Sequence, residues 1–424
     1  MDIFKNRNFV KLFFAALTSQ MGTTIGNMAF AFYLLDQFSD KPYYATLAEL
    51  MYSLPTIFVF FLVGVVADRF DRKKVAENCD WIRAGLTILL FFALFLDSLP
   101  IIFFILFLRS AVTKFFFPAE TSLVQGILRK DQYATASGLN QMLFSLFMIF
   151  GVGLGAFVYK WIGIHGAVLI DFISFIISAL FIRFCKIPRA VRLPNGLPKW
   201  KELNIQSALL DFKVGIQYIL SNRLLTLIIF GFFIFGFVQG SFAILPMFTM
   251  KYELAPSEYE KFASFFAMCL GLGLILGSMI STIIANKIKP YFLFIIPIFI
   301  TSIFILFLGL TNNVWVYLTF SFLIGMCIAP VNVVIGGWIP KIVQSKLMGR
   351  VSGWIDPLMM FSQSLTLGLI AIIFPKLISD IDIMYFGMSM VIFAVFLFYA
   401  ILLPKYERIS INNQESKKRV QSLP

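Results

Sequence analysis

With 424 residues, 59% of them hydrophobic, 13% charged and 52 of them phenylalanine, the chain cannot be a water-soluble globule, where about half the residues are apolar and about a quarter charged. The net charge of +13 could in principle serve nucleic acid, but its placement in short segments between apolar runs excludes that partner and points to a bilayer. The cysteines Cys79, Cys185, Cys269 and Cys327 have no C-x-x-C spacing, so neither a metal site nor a disulfide framework is implied.

Apolar runs of about 20 residues, enough to cross a bilayer, fall near residues 9–35, 45–67, 81–96, 101–119, 136–158, 163–184, 224–248, 262–285, 291–310, 314–339, 357–375 and 383–403. The first follows Lys5 and Arg7 as a secretory leader would, but it is too long and has no small-residue cleavage site, so it is expected to stay as the first span. The expected fold is an all-α polytopic membrane protein of twelve transmembrane helices. If both termini are cytoplasmic, the basic clusters at Lys5 to Lys11, Arg69 to Lys74, Arg129 and Lys130, Arg183 to Arg223, Lys287 and Lys289, and Lys341 to Arg350 all lie inside. The outer segments then keep only Lys41, Lys160, Lys251, Lys261 and Lys376. That asymmetry predicts a multi-pass cell-membrane protein with both termini cytoplasmic.

The first span carries Gln20, Thr23, Thr24 and Asn27 on one helical face. Such a polar stripe needs water or a partner, so it either lines a cavity or bonds to a neighbouring helix. Glu49, in the second span and one or two turns from the outer surface, is expensive unless paired or wetted. It is the first candidate for proton coupling, against a glutamate that merely snorkels to the interface.

Between the second and third spans stands Gly64-Val-Val-Ala-Asp68-Arg69-Phe-Asp71-Arg72-Lys73-Lys74. It resembles the signature loop of the major facilitator superfamily, G-x-x-x-D-R-x-G-R-[RK]-[RK], with Asp71 standing where the family prefers glycine. Gly64 lets helices approach closely, and Asp68 can face a helix N-terminus or an arginine; a positive-inside anchor would explain only the basic residues. The resemblance implies a conformational-switch loop of Gly64, Asp68, Arg69 and Arg72, and a first span that lines the transport pathway.

At the start of the third span Asp80 and Arg83, three residues apart, are expected to form a local ion pair. Arg109, in the middle of the fourth span, must pair or line a water-filled space. It resembles the arginine of the superfamily motif L-x-x-x-R-x-x-Q-G, associated with proton transfer, although Val112 and Thr113 replace Gln-Gly. Lys114-Phe-Phe-Phe-Pro118-Ala119-Glu120, followed by Ala136-Ser-Gly138-Leu-Asn140, is similar to the branch that holds macrolide-efflux proteins and the enterobactin exporter. Glu120 would then belong with the conformational-switch loop and reach the cytoplasmic surface, there either to pair with Arg72 or to be solvated at the helix end. Gly151 and Gly155 match part of the antiporter motif G-x-x-x-G-P-x-x-G-G, and helix packing explains them equally well. Asp171, deep in the sixth span, carries a proton, binds a cationic solute, or serves as a structural partner for a buried cation.

Residues 186–222 read as a basic linker and a helix on the inner interface, with Leu209, Leu210, Ile216, Ile219 and Leu220 at helical spacing. The expected domains are a six-helix bundle over 1–185, this linker, a second six-helix bundle over 223–404 and a basic tail over 405–424. The two bundles are pseudo-symmetric: Ala67-Asp68-Arg69-Phe70 aligns with Ala285-Asn286-Lys287-Ile288, and Ser137-Gly138 with Ser352-Gly353. Phe265, Ile324 and Phe386 stand roughly where Glu49, Arg109 and Asp171 do, which assigns proton chemistry to the first half. The second half offers Gln239, Ser241, Met247, Phe248, Met326, Asn332 and Trp338, either a surface for large amphipathic molecules or ordinary packing. Asp356-Pro357 reads as the start of the eleventh span, and His165 as a solvated residue near the outer end of the sixth.

No G-x-x-x-x-G-K-[ST] loop is present, so the chain is not read as an enzyme and needs no cofactor; the resemblance implies the proton gradient as its energy source. By that resemblance it exports hydrophobic drugs or secondary metabolites of macrolide or multidrug type. Glu49, Arg109 and Asp171 would couple protons, and Gln20, Thr23, Asn27, Gln239 and Asn332 would line the cavity for a small amphipathic solute. The alternatives are a siderophore or lysophospholipid transporter of the same fold and a non-transporting membrane scaffold or sensor. No obligate protein partner is inferred.

Overall fold

A computed structural model describes residues 2–129, 132–193, 205–284, 288–343, 351 and 354–421. Within them every regular element is helical, as a lipid solvent demands of a backbone that must satisfy its own hydrogen bonds. Helix α1 (Arg7–Gln37) is capped by Asn6, whose side chain accepts from the N–H groups of Asn8 and Phe9. Helices α2 (Tyr43–Ser53) and α3 (Pro55–Arg69) form one crossing, interrupted at Leu54 because Pro55 has no N–H for the preceding turn. Asp71 caps α4 (Arg72–Phe95), and α5 (Leu99–Ile127) follows.

Helix α6 (Tyr133–Arg183) has 51 residues, about twice the length that a 30 Å hydrocarbon core requires. It breaks at Gly163, whose φ of 68° is accessible to glycine at no steric cost, and so contains the fifth and sixth spans. A short helix α7 (Arg189–Arg192) and α8 (Ile205–Ser221) lead to α9 (Arg223–Thr249), which widens into a π-helical turn, Met250–Leu254. Then come α10 (Tyr259–Ile284), α11 (Pro290–Leu310), α12 (Val314–Ile342), α13 (Ile355–Ile373) and α14 (Ile381–Gln421). Ten described segments are long and apolar enough to cross a membrane. The polar stripe keeps α1 out of that set, and α6 contributes a single segment; counting α1 and both parts of α6 restores the expected twelve.

The chain forms two compact units, Met1–Leu210 with Ser364–Leu377, and Asp211–Gln363 with Ile378–Pro424. The first has a core of Leu12, Phe116, Ala119, Leu123 and Ile182, the second one of Leu225, Ile228, Phe294, Tyr399 and Leu403. Both units also expose large apolar side chains, Phe58, Phe92 and Trp161 in the first, Ile283 and Ile401 in the second. Outward-facing residues of that size belong against acyl chains.

Candidate functional site

The first unit brings its charges together because its first span is thin at the right places. Gly22 and Gly26 are both buried, and a Cβ on Gly22 would meet Ser174 Oγ at 1.8 Å, while one on Gly26 would meet Asp171 Oδ2 at 2.9 Å. This four-residue spacing of small residues lets α1 lie directly on the sixth-span part of α6.

Against that seam stands Arg109. Its Nη1 donates to Asp171 Oδ2 and, at 3.4 Å, to Thr87 Oγ1, and its Nη2 donates to Asn27 Oδ1 at 2.7 Å. Arg109 is 4% exposed and Asp171 fully buried, so spans one, three, four and six converge on one ion pair. Removing one partner of such a pair costs about 3–5 kcal/mol. Asp171 Oδ1 has no partner, and an orphaned buried acceptor costs about 1–3 kcal/mol. The pair is thus held together on one side and unsatisfied on the other.

Asp80 and Arg83 form the local pair expected, but deeper than a helix-surface contact: both are essentially fully buried. Arg83 Nη2 donates to Asp80 Oδ1 and to Ser19 Oγ at 2.7 Å, and Ser178 Oγ donates to Asp80 Oδ2. The guanidinium also lies 4.8 Å from the Phe116 ring centroid and 4.4 Å from that of Phe175, a cation–π sandwich. Both Asp80 oxygens are occupied, whereas Asp171 keeps one oxygen without a hydrogen-bond partner.

Glu49 is 9% exposed and makes no hydrogen bond or ion pair among the described residues. It does not meet the Arg109 guanidinium, whose carboxylate partner is Asp171. Tyr52, missed by the sequence reading, is within electrostatic reach of Arg109, Glu49 and Asp171. Its backbone carbonyl accepts from Ser110 Oγ at 2.7 Å, and its own hydroxyl has no partner.

The polar stripe of the first span divides. Thr23 and Thr24 return their hydroxyls to Ser19 O and Gln20 O of their own helix, Asn27 serves Arg109, and Gln20 is half-buried. In the second unit Gln239 and Asn332 are exposed, whereas Ser241, Met247 and Phe248 are buried in the bundle and offer no open surface. Trp338 lies outside the described side chains. An apolar cavity of about 60 Å³ between α9, α11, α12 and α14, lined by Phe235, Phe294 and Tyr399 among others, is far below the roughly 300 Å³ of a drug-sized pocket.

In the loop between the second and third spans, the side chains of Asp68 and Arg69, and Gly64, lie outside the described ones. Glu120 was expected at the surface; it is 1% exposed and its Oε1 has no partner, because Phe116, Ala119 and Leu123 of the same helix are themselves core. Asp71, the departure from the family pattern, has two roles. It accepts from the N–H groups of Lys73 and Lys74, capping α4, and it pairs with Arg192 of α7, with Nε at 3.1 Å. Burial alone would raise the Asp71 carboxyl, but Arg192 and the two backbone donors hold it below its ordinary value; the same bond raises Arg192. Beside it Lys73 Nζ caps Arg183 O and Cys185 O, and Asn8 exchanges two bonds with Lys186. Burial pushes the Cys185 thiol up to about 11.

His165, expected to be solvated, packs instead against Phe91 and Phe95, with Nε2 buried and unpartnered. Glu253, Asp380 and Asp382 place carboxylate oxygens within 4.8 Å of one another, but Glu253 spends one on Ile381 N–H, and partly exposed acids group in this way without an ion.

The family model described as Major Facilitator Superfamily matches residues 12–365. The chain belongs to the major facilitator superfamily. It is therefore a secondary transporter of small solutes, multi-pass in the membrane, and not an enzyme. It is 64% identical, over the full length of both chains, to the uncharacterized MFS-type transporter YkuC of Bacillus subtilis (strain 168). It is 22% identical to macrolide efflux protein A of Streptococcus pyogenes, over 85% of this chain and 87% of that one. Among solved structures it is similar to the POT family transporter PepTSo, with a TM-score of 0.75 at 11% identity over 95% of this chain and 98% of that one; at that identity the likeness concerns the fold alone.

Proposed function

We propose that this superfamily member exports hydrophobic or amphipathic drugs or metabolites in exchange for protons, with both termini in the cytoplasm. The observation that carries the reading is the Arg109–Asp171 pair, buried at the meeting of four spans with one carboxylate oxygen left without a partner. A proton taken up on that oxygen neutralises Asp171 and loosens its hold on Arg109, which Asn27 and Thr87 then retain. The packing between the first and sixth spans is thereby made dependent on protonation. Glu49, buried in the second span near its outer end, is the group that first meets a proton arriving from outside. Export rather than uptake rests on the similarity to macrolide efflux protein A, and the basic residues on one face of the membrane support the orientation.

Arg109 spends three of its five N–H donors on protein groups, one of them the carboxylate of Asp171, which disfavours the alternative in which it anchors an anionic siderophore or a phospholipid headgroup. The test is transport in proteoliposomes under an imposed pH gradient, with macrolides, lipophilic cations and a catecholate siderophore as solutes, and with Asp171→Asn and Glu49→Gln alongside. Gradient-driven uptake of a macrolide or lipophilic cation, lost in Asp171→Asn, is expected. Movement indifferent to the gradient, or of the siderophore alone, would sink the reading.

A further inference from the structure

The second span has a polar face that the transport reading leaves largely unused. Thr46, Glu49, Tyr52, Ser53 and Thr56 follow one another at intervals of three or four residues from the first turn of α2 into α3. At about 100° per residue they share an arc of about 120°. Thr46, Glu49, Ser53 and Thr56 are buried, and Tyr52 is half-buried with its hydroxyl fully enclosed. Eight buried side-chain polar atoms among the described residues have no partner within the protein. Three of them are here, Thr46 Oγ1, Tyr52 OH and Thr56 Oγ1, and a fourth is the Oδ1 of Asp171, a residue within electrostatic reach of Tyr52.

Threonines in spans usually settle this account locally, by donating to the carbonyl one turn back. Thr23, Thr24 and Thr113 of the same unit do so, at 2.8 to 2.9 Å. Thr46 and Thr56 do not. For Thr56 the carbonyl one turn back is that of Tyr52, which already accepts from Ser110 Oγ. These hydroxyls are therefore turned away from their own backbone, and a row of enclosed donors and acceptors needs a partner small enough to enter and able both to give and to accept. Water meets that description. Side chains three or four residues apart on a helix stand about 5–6 Å apart, the span of one water bonded to each.

We propose that the polar face of the second span, with Asp171 Oδ1 at its inner end, holds a file of water molecules that conducts protons from the outer surface to the Arg109–Asp171 pair. From Thr46 to Thr56 the helix rises about 15 Å, half of a hydrocarbon core of about 30 Å. The file thus covers the outer leaflet and stops at the depth of the ion pair. One proton enters at the Thr46 end, each water passes a proton to the next as it receives one, and one is delivered to Asp171 Oδ1. The threonine and tyrosine hydroxyls orient the waters and finish with the protons they began with. Ser364 Oγ, which donates to Ser53 Oγ at 2.8 Å, closes that side of the row. The water file itself stands on the orphaned atoms; its use as a proton path rests on the coupling reading above.

The experiment is radiolytic hydroxyl-radical footprinting of the full-length protein in lipid nanodiscs, in ¹⁸O-water, together with gradient-driven uptake. The proteins compared are the wild type and the double variant Thr46→Val, Thr56→Val, which conserves shape and removes two hydroxyls. Tyr52 is expected to incorporate ¹⁸O while the buried, hydrogen-bonded Tyr399 does not. The double variant should lose most of the Tyr52 label and slow uptake severalfold, with an undiminished melting temperature that shows the fold intact. A Tyr52 as silent as Tyr399 in the wild type would overturn the water file. A lost label with uptake at the wild-type rate would overturn conduction through it. Wild-type uptake indifferent to the pH gradient would instead refute proton coupling, and the labelling result would still decide whether the file exists.

Discussion

Gly26→Ala is a one-carbon change that acts directly on the proposed proton site. The added Cβ would lie 2.9 Å from Asp171 Oδ2, 3.2 Å from its Cγ and 3.3 Å from its Cβ. Ordinary contact begins near 3.4 Å, so the carboxylate must retreat by about 0.5 Å, and Oδ2 is the oxygen that Arg109 holds. Overpacking of this kind costs about 1–3 kcal/mol, and a strained charge-assisted bond adds a share of the about 1.5–3 kcal/mol such a bond is worth. Helix propensity returns up to about 1 kcal/mol. The net expectation is destabilisation by about 2 kcal/mol together with a displaced midpoint in the pH–rate profile. Gly85→Ala, in the third span with nothing within 4 Å of its new methyl, is the control: it keeps the propensity gain and touches no neighbour. Thermal unfolding in detergent and transport rates across pH read both. If Gly26→Ala melts at or above the wild type with an unchanged profile, α1 does not press on Asp171 and the geometry argued here is wrong.

Three further outcomes follow from the same contacts. Arg109→Gln strands a buried carboxylate and should destabilise by about 3–5 kcal/mol; adding Asp171→Asn should restore most of that loss but no gradient-driven transport, and a double variant as unstable as the single one would contradict the pairing. Asp80→Asn should lower the melting temperature while leaving the pH midpoint of transport in place, because both of its oxygens are already engaged; a moved midpoint would make it part of the proton machinery. Asp71, with its carboxyl held low, contributes to the Arg192 clasp above the usual carboxylate range of about 4 and loses that contribution as pH falls below it. The rate of tryptic cleavage after Arg189 and Arg192, divided by that of an unstructured reference peptide at the same pH, is therefore expected to be flat between about pH 5 and 8. It should be faster in Asp71→Asn, which keeps an N-cap oxygen but not the charge, and equal rates in the two proteins would dismiss the clasp.

The spans were legible because about 20 apolar residues in a row have few other uses, and the buried charges were legible because an ion inside such a run needs a reason. What could not be read was which helix faces which. Arg109 is 60 residues from Glu49 and 62 from Asp171, and nothing in that spacing favours the second. The clue was Gly22-x-x-x-Gly26 in the first span, whose bare backbone admits the sixth span at Asp171 and Ser174. Glu120 and His165 were misplaced for a related reason. Position along a helix gives depth in the membrane but not orientation, and both side chains turn into the bundle. Asp71 was visible as a departure from the family loop, yet its partner Arg192 lies 121 residues on, in a segment that composition described only as basic.

The two units are held by different chemistry, and that difference bears on the proposed coupling. In the first, two ion pairs stand among the buried polar groups, Asp80 with Arg83 and Asp171 with Arg109. In the second, Thr249 Oγ1 donates to Tyr385 OH at 3.2 Å, Tyr385 and Tyr317 share a bond of 2.6 Å, and Tyr399 OH donates to Leu227 O at 2.7 Å. Close backbone approach adds to this, since Gly273 leaves room for Phe322 O and Gly277 for Met326 O. A chain of hydroxyls rearranges without changing its charge, so a proton has little to act on there. An ion pair gains or loses an attraction outright when its carboxylate is neutralised. On the proposed proton-coupled reading only one half needs to respond to protonation, and the ion pairs of the first unit, set against the hydroxyl chain of the second, fit that division of labour.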